Sequence, residues 1–182
     1  TEMTDISPEG RISEGCAGMY KPEHVAAWKR VVEFVHNHSD AKIAIQLAHA
    51  GRKASCSPAW EGGGPLPTGR EWEILAPSPI PFSSDSQTPR EMNRADMDRL
   101  VEAFGQGARW SEEAGFDMIE IRGGHGYLIS SFISPLSNTR TDEYGGSLEN
   151  RMRFPLEVFR AIRSNWPDDK PVSMRISAYD WV

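Results

Sequence analysis

Residues 117–122 read Asp-Met-Ile-Glu-Ile-Arg, and Gly-Gly-His-Gly-Tyr follows directly at 123–127. Isoleucines alternate here with Glu120 and Arg122, which is the pattern of a strand with one apolar and one polar face. Two other stretches alternate in the same way, residues 42–49 (KIAIQLAH) and 171–177 (PVSMRIS). Because helical patterns separate these three strands, the sequence predicts a parallel sheet.

The segments between the strands have helical signals. The spacing predicts a first helix that begins at Pro22 and ends in the polar run 36–40, and a second that begins after the N-cap Asn93 and ends at Gly115. A third helix follows Ser147, and Pro155 predicts a kink or restart within it.

Three polar residues lie late in their strands: Gln46, Arg122 and Arg175. In a (β/α)₈ barrel the outer strand face packs on helices, and inward side chains at the carboxyl ends of the strands line the active site. The polar face and these three positions therefore predict an α/β chain of the TIM-barrel type.

Composition restricts the class of protein. With Asp+Glu 26 against Lys+Arg 20, the net charge is −6, which argues against a nucleic-acid partner. We expect a cytosolic protein without membrane contact, because no apolar run reaches the roughly 20 residues of a bilayer span and no leader is recognised. Two cysteines form no C-x-x-C pair, and no metal-ligand set emerges. Residues 1–182 read as a single domain, in which the Pro- and Gly-rich segment 57–93 is a loop or lid.

Four stretches together resemble the old yellow enzyme family, the FMN-dependent ene reductases of the NADH:flavin oxidoreductase type. They are residues 1–12 (TEMTDISPEGRI), 45–53 (IQLAHAGRK), 125–138 (HGYLISSFISPLSN) and 140–153 (RTDEYGGSLENRMR). The likeness implies FMN at the carboxyl end of a TIM barrel, NAD(P)H as reductant and an α,β-unsaturated carbonyl compound as acceptor. Aligned to the family, the chain runs from about the end of strand 2 through strand 5. An incomplete barrel follows, since roughly 250 residues are typical, and we expect residues 1–182 alone to be inactive.

The resemblance implies three cofactor-binding residues. Gln46 matches the glutamine that hydrogen-bonds the flavin pyrimidine edge, Arg175 matches the arginine near the flavin N1–C2 carbonyl, and Met3 lies beneath the ring. From residue type alone, Gln46 and Met3 also suit a barrel core, and Arg175 also suits an ion pair with Glu120.

The implied catalytic residues are His125, Tyr127 and Arg122. His125 matches a donor to the substrate carbonyl, and Tyr127 matches a proton donor to the α-carbon; each also suits an ordinary loop position. The family commonly has a histidine where this chain has Arg122. An arginine there suits an oxyanion or an anionic substrate group, with a structural Glu120–Arg122 contact as the alternative. We expect Gly123 and Gly124 to leave room for it.

Three functions remain open. The first is an NAD(P)H:flavin oxidoreductase that reduces a small-molecule enone. The second is the reductase part of a flavin-dependent aryl-CoA monooxygenase of the salicylyl-CoA type, with Arg122 at an anionic group. The third is a non-catalytic partial barrel whose open edges favour a homo-oligomer.

Overall fold

Four parallel strands form the sheet of this chain in the computed structural model, which describes residues 1–180. They are β1 (Met3–Asp5), β2 (Ala44–Ala48), β5 (Met118–Gly123) and β6 (Val172–Ile176), and they lie side by side in chain order. Helices follow the first three of these strands: α1 (Pro22–His38), α2 (Arg94–Glu113), α3 (Leu128–Ile133), α4 (Leu148–Arg151) and α5 (Arg153–Ser164). A strand order without reversal is that of a barrel arc and differs from that of a doubly wound sheet.

The register divides the sheet into two faces. Leu47 pairs with Ile121, and Ile121 with Met174, so the apolar residues of neighbouring strands share one face. That face packs against the apolar stripes of the long helices, whose buried residues include Val25, Val32, Met97, Leu100, Phe104, Val158 and Ile162. Each large side chain that is fully buried there contributes roughly 1.5–3 kcal/mol. The opposite face carries the polar residues.

The helix boundaries agree with their sequence signals. Asn93 caps α2 through a capping box, in which its side chain accepts from the backbone N–H of Asp96 while Asp96 accepts from that of Asn93. The third helix is interrupted at Met152, which separates α4 from α5. Pro155 then lies in the first turn of α5, where its missing N–H is tolerated.

The segment 57–93 has more structure than its sequence pattern predicts. It contains a short 3-10 turn (Ala59–Glu61) and two two-residue strands, β3 (Leu75–Ala76) and β4 (Arg90–Glu91), which pair in parallel. Strands of two residues are too short to produce a visible alternation. No helix in residues 1–180 has the length and apolarity that a bilayer crossing requires.

Arg140 fastens this segment to the loop between α3 and α4. Its side chain is only 7% exposed, and Nη1 donates to the carbonyls of Pro77 and Met92 at 2.9 and 2.8 Å. Its Nε donates to Asp142 at 3.0 Å. One guanidinium therefore holds both ends of the β3–β4 region in place.

Replacing Arg140 by methionine should lower the free energy of unfolding by about 2–3 kcal/mol, because two buried carbonyls lose their donor. Urea unfolding of the protein at its natural length, with any segments that flank residues 1–182, measures the loss. Arg160→Met, at an exposed position of α5, is the control and should cost little. Equal losses for the two variants would contradict the anchoring role.

Strand β6 pairs on one side only within residues 1–180, and the outer edge of β1 is covered there only by a bridge between Asp5 and Gly18. Ile176, on β6, is 60% exposed. A polypeptide limited to residues 1–182 should therefore self-associate, since unpaired edges and exposed apolar side chains favour association. Size-exclusion chromatography with light scattering measures its mass, and a sharp monomeric peak would contradict the expectation.

Candidate active site at the carboxyl ends of the strands

The polar face of the sheet brings the predicted cofactor residues together. Met3 pairs with Gln46, Gln46 with Glu120, and Glu120 with Ser173, so these four residues form one row across the strands. In-register residues of parallel strands point to the same side. Arg122 pairs with Arg175 one step nearer the carboxyl ends, which places both arginines on this face beside the row.

The Gln46 amide links two charged residues of β5. Its Nε2 donates a short hydrogen bond to Glu120 Oε1, and its Oε1 accepts from Arg122 Nη1 at 2.7 Å. The alternative of a direct ion pair between Glu120 and either Arg122 or Arg175 is not found within 4 Å in residues 1–180. The amide therefore takes the place of that ion pair, as its donor and acceptor allow.

Several buried polar atoms on this face have no partner in the described part of the chain. Two that can donate are Arg122 Nε and Ser173 Oγ. Arg175 is exposed, and Met3 and Gln46 are buried. Buried polar atoms normally find a hydrogen-bond partner, so this face has donor capacity to spare for a bound group.

The loop after β5 carries the predicted catalytic residues. His125 has a left-handed backbone (φ 61°), and its N–H donates to Ser177 Oγ at 2.9 Å. The Arg122 guanidinium carbon lies 5.1 Å from the centre of the Tyr127 ring. His125, Tyr127 and Arg122 thus lie at the carboxyl-terminal edge of the same face, the region called the mouth below.

Gly123, which ends β5, and Gly124, which begins the following loop, have a different role from the one expected. A Cβ on Gly123 would lie 3.1 Å from the Arg175 carbonyl oxygen, and one on Gly124 would lie 3.2 Å from the Ser177 backbone nitrogen. Atoms of β6 and of the residues that follow it therefore occupy the space beside them. The glycines permit the close approach of this region and do not make room for Arg122.

Charge and burial set the protonation of both donors. The positive charge of Arg122 lowers the pKa of His125, with smaller effects from burial, Arg175 and Lys53, so the neutral imidazole is favoured. Burial raises the pKa of the Tyr127 phenol, against the opposing charge of Arg122. At neutral pH the site therefore offers a neutral histidine and a protonated tyrosine.

Three further residues lie in the same region, and sequence reasoning assigned no role to Lys53 and Asp5. Lys53 Nζ lies 4.9 Å from the centre of the Tyr127 ring. His49 is buried, accepts from the Gly51 N–H at 3.0 Å, and has its pKa lowered to about 4 by burial. Asp5 is fully buried, and neither of its carboxyl oxygens has a partner in residues 1–180. All three lie at or just past strand ends, which is the signal that could have found them.

The chain is similar to known proteins in both sequence and structure. Residues 1–182 match the sequence profile of the family described as "NADH:flavin oxidoreductase / NADH oxidase family". A similar curated protein is an NADPH dehydrogenase of Geobacillus sp. (strain WCH70), which is 48% identical over 180 residues, with 99% of this chain and 48% of that protein covered. An NADPH dehydrogenase of Clostridium acetobutylicum is 44% identical over 180 residues, with 99% and 49% covered. The chain thus spans about half the length of the curated relatives it matches.

A solved structure is also similar. It is morphinone reductase in complex with tetrahydroNAD, with a TM-score of 0.83, 32% sequence identity, and coverage of 96% of this chain and 49% of that one. Half of such an enzyme corresponds to the four-stranded arc found here. The predictions of the family and of an incomplete TIM barrel are confirmed, and the flavin and nicotinamide cofactors agree with the names of these relatives.

Burial raises the pKa of Asp5 from 3.8 to about 9, against the opposing charge of Arg11. Between pH 4 and pH 9, roughly, Asp5 is protonated in the folded chain and ionised in the unfolded chain. The free energy of unfolding should therefore fall as pH rises through this range. Asp5→Asn should remove this dependence and stabilise the protein at pH 8 by on the order of a few kcal/mol. Urea unfolding at pH 5 and pH 8 measures both effects. Asp40→Asn, at an exposed position, is the control, and a pH dependence that persists in Asp5→Asn would contradict the assignment.

Proposed function

Because the chain belongs to the NADH:flavin oxidoreductase / NADH oxidase family, we propose that the protein at its natural length reduces activated alkenes. In this reaction NAD(P)H is the reductant, FMN the cofactor and an α,β-unsaturated carbonyl compound the acceptor. The observation that carries the proposal is the shared face on which Gln46, Arg122 and Arg175 lie beside Tyr127 and His125. The proposed reaction adds a hydride to the β-carbon and a proton to the α-carbon.

Three residues would hold the cofactor. The Gln46 amide keeps one N–H and one lone pair beyond its bonds to Glu120 and Arg122, which suits the donor and acceptor edge of a flavin pyrimidine ring. Arg175 presents an exposed guanidinium on the same face, and Met3 presents an apolar surface. Bound FMN would supply reversible two-electron chemistry. The unpartnered Arg122 Nε and Ser173 Oγ support the fit.

His125 and Arg122 would hold the acceptor carbonyl. Enolate charge develops on that oxygen when a hydride adds to the β-carbon, so hydrogen-bond donors there lower the barrier. The neutral imidazole donates without adding a charge that would need desolvation. Arg122, held by the Gln46 oxygen at 2.7 Å, adds a fixed positive charge close to the same oxygen.

Tyr127 would protonate the α-carbon. Its raised pKa keeps the phenol protonated in neutral solution, and the nearby Arg122 charge stabilises the phenolate that forms after proton transfer. Half-burial shields the hydroxyl from competing exchange with water. Solvent would return the proton after the product leaves.

Arg122 favours a second candidate, the reductase part of an aryl-CoA monooxygenase. Its guanidinium has no carboxylate within 4 Å in residues 1–180, and an anionic thioester substrate would supply the missing charge. Turnover of an aryl-CoA substrate in place of a simple enone would select this candidate.

A cytosolic location and assembly into a homo-oligomer remain part of the proposal.

The protein at its natural length should purify yellow and should consume NADPH in the presence of 2-cyclohexenone. Tyr127→Phe should slow cyclohexenone reduction roughly 100-fold or more, because general acid catalysis typically contributes 10²–10⁴-fold. NADPH should bleach the yellow colour equally fast in both proteins. Stopped-flow spectroscopy separates the two half-reactions.

The matched control is Tyr20→Phe, which removes the hydroxyl of a tyrosine that lies edge-on to His24, on the α1 side of the chain. It should leave both half-reactions unchanged. A colourless preparation without flavin would overturn the proposal, and an unchanged oxidative rate in Tyr127→Phe would overturn the role of the tyrosine.

A further inference from the structure

Two cations beside Tyr127 have only neutral partners in the described chain. Lys53 Nζ donates to the His125 carbonyl at 3.2 Å, and Arg52 Nη1 donates to the carbonyls of Ile80 and Pro81 at 3.4 and 3.3 Å. Several arginines elsewhere form ion pairs with carboxylates, and they include Arg90, Arg94, Arg99, Arg109 and Arg140. Arg52 and Lys53 thus leave uncompensated positive charge in a chain of net charge −6.

The same two side chains are packed against aromatic rings. Lys53 Nζ lies 4.3 Å from the centre of the Phe82 ring, and the Arg52 guanidinium carbon lies 5.8 Å from it. Burial lowers the pKa of Lys53, and repulsion from Arg52 and Arg122 lowers it further. The repulsion between these neighbouring cations is unfavourable, and a bound anion would reduce it.

A cavity lies between these cations and the segment 57–93. Its volume is about 260 Å³, and Lys53, Arg52, Phe82, Gln87, Cys56 and Tyr127 are among its lining residues. No Asp or Glu lines it in residues 1–180. Two buried polar atoms of the lining, Arg52 Nε and Gln87 Oε1, have no partner in the same part of the chain. Basic residues, hydroxyl groups from Ser83 and Ser86, and an aromatic ring suit a small planar acid.

We propose that Lys53 and Arg52 bind a carboxylate or phosphate carried by the hydride acceptor, in the cavity between the loop that follows β2 (residues 49–56) and segment 57–93. The anion belongs to the acceptor because Lys53 lies 4.9 Å from the ring of Tyr127, the residue that would protonate the reacting α-carbon. The 2′-phosphate of NADPH lies at the opposite end of that molecule from its nicotinamide. The assignment to the acceptor rests on the proposed function, whereas the anion site itself does not.

Benzoate and benzamide are matched probes, equal in shape and different in charge. Isothermal titration calorimetry with the protein at its natural length should show tighter binding of benzoate. Lys53→Met should weaken benzoate binding roughly 10- to 100-fold, the loss of a charge-assisted hydrogen bond, and should leave benzamide binding unchanged. Lys53→Arg should retain benzoate binding, and Lys29→Met, on the exposed side of α1, should change neither affinity.

Salt gives a test that needs no variant. Raising the ionic strength should weaken benzoate binding and leave benzamide binding unchanged. Equal affinities of the two probes at low salt, or benzoate binding that ignores both salt and Lys53→Met, would overturn the anion site.

Kinetics identifies the molecule that carries the anion. With an enone and its carboxylate derivative as acceptors, Lys53→Met should raise KM for the carboxylate only, with KM for NADPH unchanged. A rise confined to the KM for NADPH would assign the anion to NADPH and overturn the acceptor proposal. If benzoate binding depends on Lys53 while no alkene is reduced, the anion site stands and the proposed function fails.

Discussion

The Gln46 amide is the connection on which the polar face of the sheet depends. It donates to Glu120 and accepts from Arg122, two residues of opposite charge that lie two positions apart on β5. A direct ion pair would satisfy these charges with each other and would consume the guanidinium. Because a neutral amide stands between them, each charge is hydrogen-bonded while Arg122 keeps its Nε edge free. The Gln46 side chain thereby stabilises both charges and leaves the Arg122 Nε–H available for a further hydrogen bond.

A positive potential at the strand ends follows from that arrangement. Glu120 lies on the same face as Arg122 and Arg175, two residues further from the carboxyl ends of the strands. Its carboxylate accepts a hydrogen bond from Gln46 there and does not neutralise the two arginines. The mouth itself carries Arg122, Arg175 and Lys53, whose charges together lower the pKa of His125. A neutral histidine among cations can donate one hydrogen bond without further repulsion. The same field favours electron-rich groups, which include an enolate oxygen, a phenolate and a carboxylate.

The sequence predicted the elements whose patterns are long enough to read. Strands of five or six residues and helices of twelve to twenty were found because alternation or helical spacing repeats within them. Strand β1, of three residues, was placed only through the family resemblance, and β3 and β4 were missed. Gln46, Arg122 and Arg175 followed from the alternation of their strands, whereas Met3 and the role of each residue followed from the family resemblance. The hydrogen bonds of Gln46 and the proximity of Lys53 to Tyr127 could not be predicted from the sequence. Each joins residues more than 70 positions apart, which only the tertiary fold brings together.

Arg122 connects the departure from the family pattern to the rest of the mouth. Its long guanidinium both donates to Gln46 and lies beside the Tyr127 ring. Its charge then acts on every neighbouring group, lowering the pKa values of His125 and Lys53 and opposing the rise in that of Tyr127. Changing a neutral imidazole to a permanent cation therefore alters the proton affinity of the whole mouth. An acceptor that carries its own negative charge relieves this repulsion, and a neutral acceptor does not.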